Sequence, residues 1–259
     1  MQDRVYIIVG ASRGLGASLV SKCLEKGLRV FGIGRSSEDD IKNRADWKKT
    51  GRFSYLQADI GDPACVGIMK SVINMCEGKP ACIIFNAAVI ESDVGYDRKL
   101  NFDIFKRVNR TGIDGFGHVL ETFGDYLLLH GSMLVGISSI SAWAPPVGGN
   151  KVAYPSSKAY LDMMLRSLRL LWNKKVHLMT VHLGHIGGEG SWFVPTYDSV
   201  AEKVVKATLS RRPPESLCMS AIYCAVYSIL KFMPDRFVSN AVELVKAMVK
   251  RMLPQKKML

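Results

Sequence analysis

Tyr154 and Lys158 stand four residues apart in a stretch of helical periodicity, Ala153–Trp172, so both side chains lie on one face of a helix. A phenol titrates near pH 10, which makes it a poor acid–base group at neutral pH. A neighbouring ammonium favours the phenolate and lowers that pKa. Such a pair is suited to moving one proton at a reacting oxygen. Tyr and Lys at this spacing occur by chance in many chains, so the pair takes its meaning from its company.

That company begins at the N-terminus. The apolar run Val5–Val9 leads into Gly10-Ala11-Ser12-Arg13-Gly14-Leu15-Gly16, and an amphipathic stretch, Gly14–Lys26, opens at once. Glycines let a backbone turn tightly and approach a pyrophosphate, and a helix N-terminus offers free N–H groups and the positive end of its dipole. A glycine trio alone is a weak signal; a strand before it and a helix after it supply the context that gives it force. About twenty residues on, NAD sites place an acid against the ribose, whereas NADP sites place an Arg against the 2′-phosphate. This chain has Gly34-Arg35-Ser36-Ser37, with no acid in that segment before Glu38. Arg13, inside the glycine loop, is a second candidate. A guanidinium donates in a planar fork and keeps its charge, so the two loops point to NADP(H), with Ser12, Leu15 and Ser36 beside the two arginines.

The elements that must carry these residues alternate. Val5–Val9, Arg29–Ile33, Phe53–Ala58, Ala81–Asn86, Met133–Ser138 and Val176–Leu183 read as strands, separated by amphipathic segments. This is the pattern of an α/β, Rossmann-type, doubly wound parallel sheet with helices on both faces. Gly27 suits the end of the first helix. Beyond about Gly184 the pattern weakens: Asp198–Leu209 reads as a helix, Leu217–Leu230 is apolar, and Phe237–Met252 is amphipathic and basic. The reading is one domain over residues 1–259, with a cofactor-binding and catalytic core at 1–188, a substrate lid at 189–215 and a helical C-terminal extension at 216–259.

The net charge is +12, but no nucleic-acid motif accompanies it, so a nucleic-acid partner is not expected. Six scattered cysteines without Cys-x-x-Cys pairs, and only five histidines, argue against a structural metal site and for reduced thiols in the cytoplasm. The first residues lack a secretory pattern. The apolar run is too short to span a bilayer, which takes roughly 20 residues. An apolar run followed by a Lys-rich amphipathic helix is nevertheless what peripheral membrane contact requires, against the plainer reading of a packed final helix.

Taken in order, these motifs resemble the short-chain dehydrogenase/reductase family, in its compact branch of about 250 residues. The resemblance runs from Val5 to about Gly188. It implies that Asp59 and Ile60 contact adenine, that Asn86-Ala87-Ala88 ends a strand and steadies the sheet, and that Asn109, in Val-Asn-x-x-Gly, holds a proton-relay water. It also implies that a Ser at the end of the fifth strand joins Tyr154 and Lys158, with Lys158 holding the nicotinamide ribose and backbone groups at Ile186 the nicotinamide amide. Ser139 ends that strand, fifteen residues before Tyr154; Ser141 has the family's usual spacing of thirteen. Ser139 is expected to serve, with Ser141 as the alternative.

Two departures stand out. Leu183-Gly184-His185-Ile186-Gly187-Gly188 lacks the Pro and Thr usual after strand six, and the family's terminal strand is absent unless Ser216–Met219 replaces it. His185 reads as an exposed or packed loop residue. Trp143, Pro145, Pro146, Trp192, Phe193, Pro195 and Tyr197 suggest an apolar substrate pocket. The expectation is an NADPH-dependent oxidoreductase that reduces a ketone or aldehyde to an alcohol. The alternative is a non-catalytic NADPH-binding sensor or scaffold of the same fold. A small-molecule carbonyl or alcohol substrate and a homo-oligomer, dimer or tetramer, complete the expectation.

Overall fold

A strand buried on both faces must be apolar along its whole length, because no side chain escapes to water. Val5–Val9 and Ala81–Phe85 meet that condition, every residue of each being buried in the computed structural model. The structure describes residues 4–144, 150–187, 194–234 and 236–237. The strands are β1 (Val5–Val9), β2 (Arg29–Gly34), β3 (Phe53–Gln57), β4 (Ala81–Phe85), β5 (Met133–Ser139), β6 (His177–Leu183) and β7 (Ser216–Cys218). They pair in parallel in the order β3-β2-β1-β4-β5-β6-β7. The helices are α1 (Gly14–Glu25), α2 (Arg44–Lys49), α3 (Cys65–Met75), α4 (Phe102–Asn109), α5 (Gly115–Leu129), α6 (Ala153–Trp172), α7 (Tyr197–Thr208) and α8 (Ala221–Leu230).

Alternating strand residues feed two cores. On one face Val5, Ile7 and Val9 pack with Met69 of α3, Phe116 of α5 and Leu161 of α6. On the other, Tyr6 and Ile8 pack with Leu19 of α1, Trp47 of α2 and Val204 of α7. Strand order reverses between β1 and β4, and in such sheets the crevice at the carboxyl ends beside that point receives the ligand.

The segment 189–215, read from sequence as a substrate lid, contains α7. Within it α7 buries Val200, Ala201, Val204 and Val205 in the sheet's second core, so it covers the sheet beside α1. Residues 217–230 do not form one apolar element: β7 extends the sheet and α8 follows. β7 thus stands where Ser216–Met219 was expected to replace the terminal strand. Cys23, Cys65, Cys76 and Cys82 are buried free thiols, whereas Cys218 and Cys224 pair as a disulfide with Cα atoms 6.6 Å apart, against the expectation that all six are reduced. Among the described residues no helix is long and apolar enough to cross a membrane. Pro145, Pro146, Trp192 and Phe193, and the basic stretch after Phe237, lie outside the described residues.

Candidate active site

A cleft of about 950 Å³ opens over the carboxyl ends of β1, β2, β4 and β5. Its wall gathers most of the residues singled out from sequence. Gly10, Ser12, Arg13, Gly14 and Leu15 come from the loop after β1, Arg35 and Ser36 from the loop after β2, and Asp59 and Ile60 from the segment after β3. Asn86 and Ala87 follow β4, Tyr154 and Lys158 stand on α6, and Ile186 follows β6. Gly16 lies behind the wall. A Cβ there would sit 1.8 Å from the Gly10 carbonyl oxygen, so only glycine lets α1 start this close to β1. Asn86 Nδ2 donates to that same carbonyl at 2.9 Å, tying the ends of β1 and β4 together.

These residues fit a dinucleotide. Arg13 precedes the first turn of α1 and no side chain caps that turn, which leaves helix N–H groups for an anion. Arg13 and Arg35 are both exposed at the cleft. The loop bearing Arg35 is held from below, where Tyr55 Oη donates to the Ser36 carbonyl at 3.0 Å and Gln57 Nε2 to the Arg35 carbonyl at 3.1 Å. Asp59 Oδ1 accepts from Gly61 N at 3.0 Å, which shapes the turn after β3.

Three strands away from β2, at β5, the chemistry changes from anion binding to proton transfer. Tyr154 is half-buried in the first turn of α6. Burial raises its pKa above the ordinary phenol value, and a hydrogen bond with Ser139 opposes that rise. The lowering expected from Lys158 does not figure: burial raises the Tyr154 pKa, and the opposing influence is Ser139. Lys158 Nζ lies 5.7 Å from the Tyr154 ring centre and donates to the Ile137 carbonyl at 2.7 Å. Its own pKa is lowered to about 8 by burial, with Asp162 acting the other way.

Ser139, not Ser141, meets Tyr154. Ser139 ends β5, and its Oγ accepts from Ser141 N at 3.2 Å and from Ser141 Oγ at 2.9 Å. The tight 3₁₀ turn Ile140–Ala142 thus leaves Ser141 supporting Ser139 from behind. Asn109 ends α4, and the chain continues through a π-helical turn, Arg110–Asp114, into α5. Turns of this kind often mark functional sites. Gly112 sits in that turn, where a Cβ would lie 2.9 Å from Ser157 Cβ, so the turn can press against α6 beside its catalytic candidates. Asn109 Oδ1 is buried without a partner among the described residues, and such an acceptor calls for a water or a ligand donor.

Sequence spacing missed Asp93 and put Tyr197 with the substrate pocket. Asp93 is fully buried, and its Oδ1 and Oδ2 accept from Val152 N and Ala153 N, each at 2.7 Å. It caps α6 from sixty residues away, while Val152 itself offers no side-chain cap. Tyr197 lines the dinucleotide cleft, with ring atoms 3.8 Å from where a Cβ on Gly14 would be, so it belongs beside the glycine loop. Trp143, also expected in the substrate pocket, does not line the cleft. Its Nε1 donates to Asp162 at 3.2 Å and its ring packs on His182 at 4.4 Å. His185 is exposed in its loop, as expected.

The profile of the short chain dehydrogenase family matches residues 4–192. The chain belongs to the short-chain dehydrogenase family. Its members among the matched proteins are oxidoreductases of alcohol and carbonyl groups. The NADPH-dependent pterin aldehyde reductase of Arabidopsis thaliana is 24% identical over 165 residues, covering 64% of this chain and 67% of that protein. The NADP-dependent (R)-specific alcohol dehydrogenase of Lentilactobacillus kefiri is 24% identical over 198 residues, 72% of this chain and 74% of that protein. Matches to two fungal short-chain dehydrogenases, from Penicillium canescens and Emericella variicolor, span 38% and 24% of those proteins. Among solved structures, ElxO with NADP bound superposes with a TM-score of 0.73 at 18% identity, covering 87% of this chain and all of that one. At that identity the likeness establishes the short-chain dehydrogenase fold alone.

Proposed function

We propose that this short-chain dehydrogenase uses NADPH to reduce a ketone or aldehyde to an alcohol. The observation that carries the reading is one cleft with Arg13 and Arg35 at its β1–β2 end and Tyr154 and Lys158 at its β5 end, where Ser139 is hydrogen-bonded to Tyr154. The glycine loop and the N-terminus of α1 would hold the pyrophosphate, the two arginines the 2′-phosphate, Asp59 and Ile60 the adenine, and Lys158 the nicotinamide ribose. Asn86 keeps the floor of the cleft in place, and the backbone at Ile186 would hold the nicotinamide amide. NADPH, when bound, supplies the hydride.

The protein's own part is the proton. Burial keeps Tyr154 a neutral phenol, the form that carbonyl reduction consumes. Its hydroxyl gives the proton to the substrate oxygen, Ser139 Oγ donates a hydrogen bond to the same oxygen, and Lys158 with Asn109 and water returns a proton to Tyr154. The printed names of the Arabidopsis and Lentilactobacillus relatives, one an NADPH-dependent aldehyde reductase and one an NADP-dependent alcohol dehydrogenase, support this direction and cofactor. The test is NADPH oxidation over small diketones, aromatic aldehydes, steroid ketones and long-chain 3-keto compounds. Turnover of one class establishes the reductase. NADPH binding without turnover of any class would point to a non-catalytic binding protein, and no binding would overturn the reading.

Cofactor choice has its own test. Arg35→Ala removes one of the two cations at the expected 2′-phosphate, and losing a charge-assisted fork there should raise Kd for NADPH by roughly tenfold. Affinity for NADH, which lacks that phosphate, should change little. Fluorescence titration with both nucleotides checks this; equal losses would mean that Arg35 serves the loop and not the phosphate.

The surface carries two further readings. Val226 and Ile229 on α8, with Phe232 and Phe237 after it, are exposed beside Lys231 and Arg236, which supports peripheral contact with an anionic membrane. Leu129 on α5 and Leu170 and Leu171 on α6 are also exposed, which supports a homo-oligomer. Light scattering and flotation with phosphatidylserine liposomes test both together. A monomer that stays at the bottom of the gradient would remove both.

A further inference from the structure

Lys158 is not alone on its helix face. Asp162 follows it by one turn of α6, a rise of about 6 Å, and no reading of the motifs gave it a role. The carboxylate is fixed from two elements. His182 Nε2, on β6, lies 2.9 Å from Asp162 Oδ2, and Trp143 Nε1, after β5, donates to the same oxygen at 3.2 Å. His182 is itself held, with its ring against Trp143 at 4.4 Å and its Nδ1 3.3 Å from Ser216 Oγ on β7. Asp162 Oδ1 is buried and has no hydrogen-bond partner among the described residues.

A carboxylate with one oxygen anchored twice and the other buried and unpaired is costly unless a nearby cation uses its field. Two cations on the same helix feel it. Asp162 acts on Lys158 and, further along, on Arg169, which also feels Glu215 and Arg166. Arg169 is already committed elsewhere, donating to the Leu178 carbonyl at 3.1 Å, to Thr180 Oγ1 at 2.7 Å and to the Glu215 carbonyl at 2.9 Å. Among the described residues Lys158 donates only to a neutral carbonyl, Ile137 O, and burial works against its ammonium form. Asp162 is the one carboxylate that acts on Lys158 among the described residues.

We propose that Asp162, fixed by His182 and Trp143, is a positioning residue that supplies the countercharge for Lys158 in the proton relay. The inference rests on the reductase reading above, so its test includes a measurement that needs no turnover. In protein labelled with [ε-¹³C]lysine, the Lys158 signal is the one missing from Lys158→Met, and its titration midpoint can be followed by NMR. The midpoint should fall by roughly one pH unit in Asp162→Asn, because a cation that loses a neighbouring anion gives up its proton more readily. Asp162→Glu, which keeps the charge, should restore it. With a substrate in hand, the alkaline limb of the kcat/KM profile should move down by the same interval in Asp162→Asn, leaving roughly a tenth of the wild-type rate above that limb.

Should Asp162→Asn alone fail to fold, the double variant Asp162→Asn/His182→Gln pairs two amides across the same gap and answers the same question. An unshifted Lys158 midpoint in either folded variant overturns the proposal, whether or not any carbonyl is turned over. A shifted midpoint in a protein that reduces nothing would leave the countercharge in place and discard the reductase reading instead.

Discussion

Tyr154→Phe is expected to lower kcat/KM for NADPH-dependent carbonyl reduction by roughly 10²–10⁴-fold, the usual contribution of a positioned general acid, while NADPH affinity stays nearly unchanged. The substitution removes one oxygen. The ring that lies 5.7 Å from Lys158 Nζ remains, and Lys158 keeps its bond to Ile137 O, so the cofactor side of the cleft should hold its shape. What disappears is the hydroxyl between Ser139 and the substrate oxygen. Steady-state kinetics and a fluorescence titration with NADPH measure the two quantities separately. Activity within about tenfold of wild type would mean that another group or water delivers the proton, and Tyr154 would lose its assignment. Equal loss of binding and turnover would instead make Tyr154 a wall of the cofactor cleft.

Asp93→Ala should be the most damaging change away from the reacting atoms. Asp93 has no exposed surface, and each of its oxygens accepts one backbone N–H at the start of α6 at 2.7 Å. Alanine leaves two donors, one of them buried, without partners, and the expected cost is roughly 2–4 kcal/mol of folding stability. Asp93→Asn retains an acceptor for one of the two amides and should fall between. Urea unfolding measures the loss. Because Tyr154 follows Ala153 directly, fraying of this turn should also reduce kcat in protein that remains folded. A change in stability below about 1 kcal/mol would mean that water replaces the carboxylate.

These two residues show where sequence reasoning reaches and where it stops. Tyr154, Lys158 and the glycine loop were legible because their spacing is local: one helical turn, or one strand-to-helix connection, places the groups. The sheet was legible because each apolar run announces a strand and parallel pairing follows from the helices between them. Asp93 was not, since nothing near Val152 marks a cap and the partner lies sixty residues away. Asp162 and His182 are twenty residues apart on different elements, and only the packing of α6 on β6 brings them together. Trp143 was read as pocket lining from its type alone, but its indole N–H found a buried carboxylate. Residues 197–208 were read as part of a lid because Tyr197 is aromatic and the family closes there; Val200, Val204 and Val205, spaced for a helix face, were the sign that this segment belongs to the core. The short 3₁₀ turn that sets Ser141 behind Ser139 is a detail that counting from Tyr154 does not see.

Every strand runs in the same direction, so each connection that leaves a carboxyl end contributes to the cleft and each return connection surfaces at the opposite rim. A strand of five residues separates the two rims by about 17 Å. On the far rim, the exposed loop between α2 and β3 turns at Gly51, whose left-handed backbone, with φ +66°, keeps that one position for glycine although a Cβ there would meet no atom within 4 Å. Mutation elsewhere on that rim can accumulate without reaching the chemistry, whereas changes at the near rim alter which molecules are accepted. The topology therefore gives this protein one edge that is free to drift and one on which selection can work.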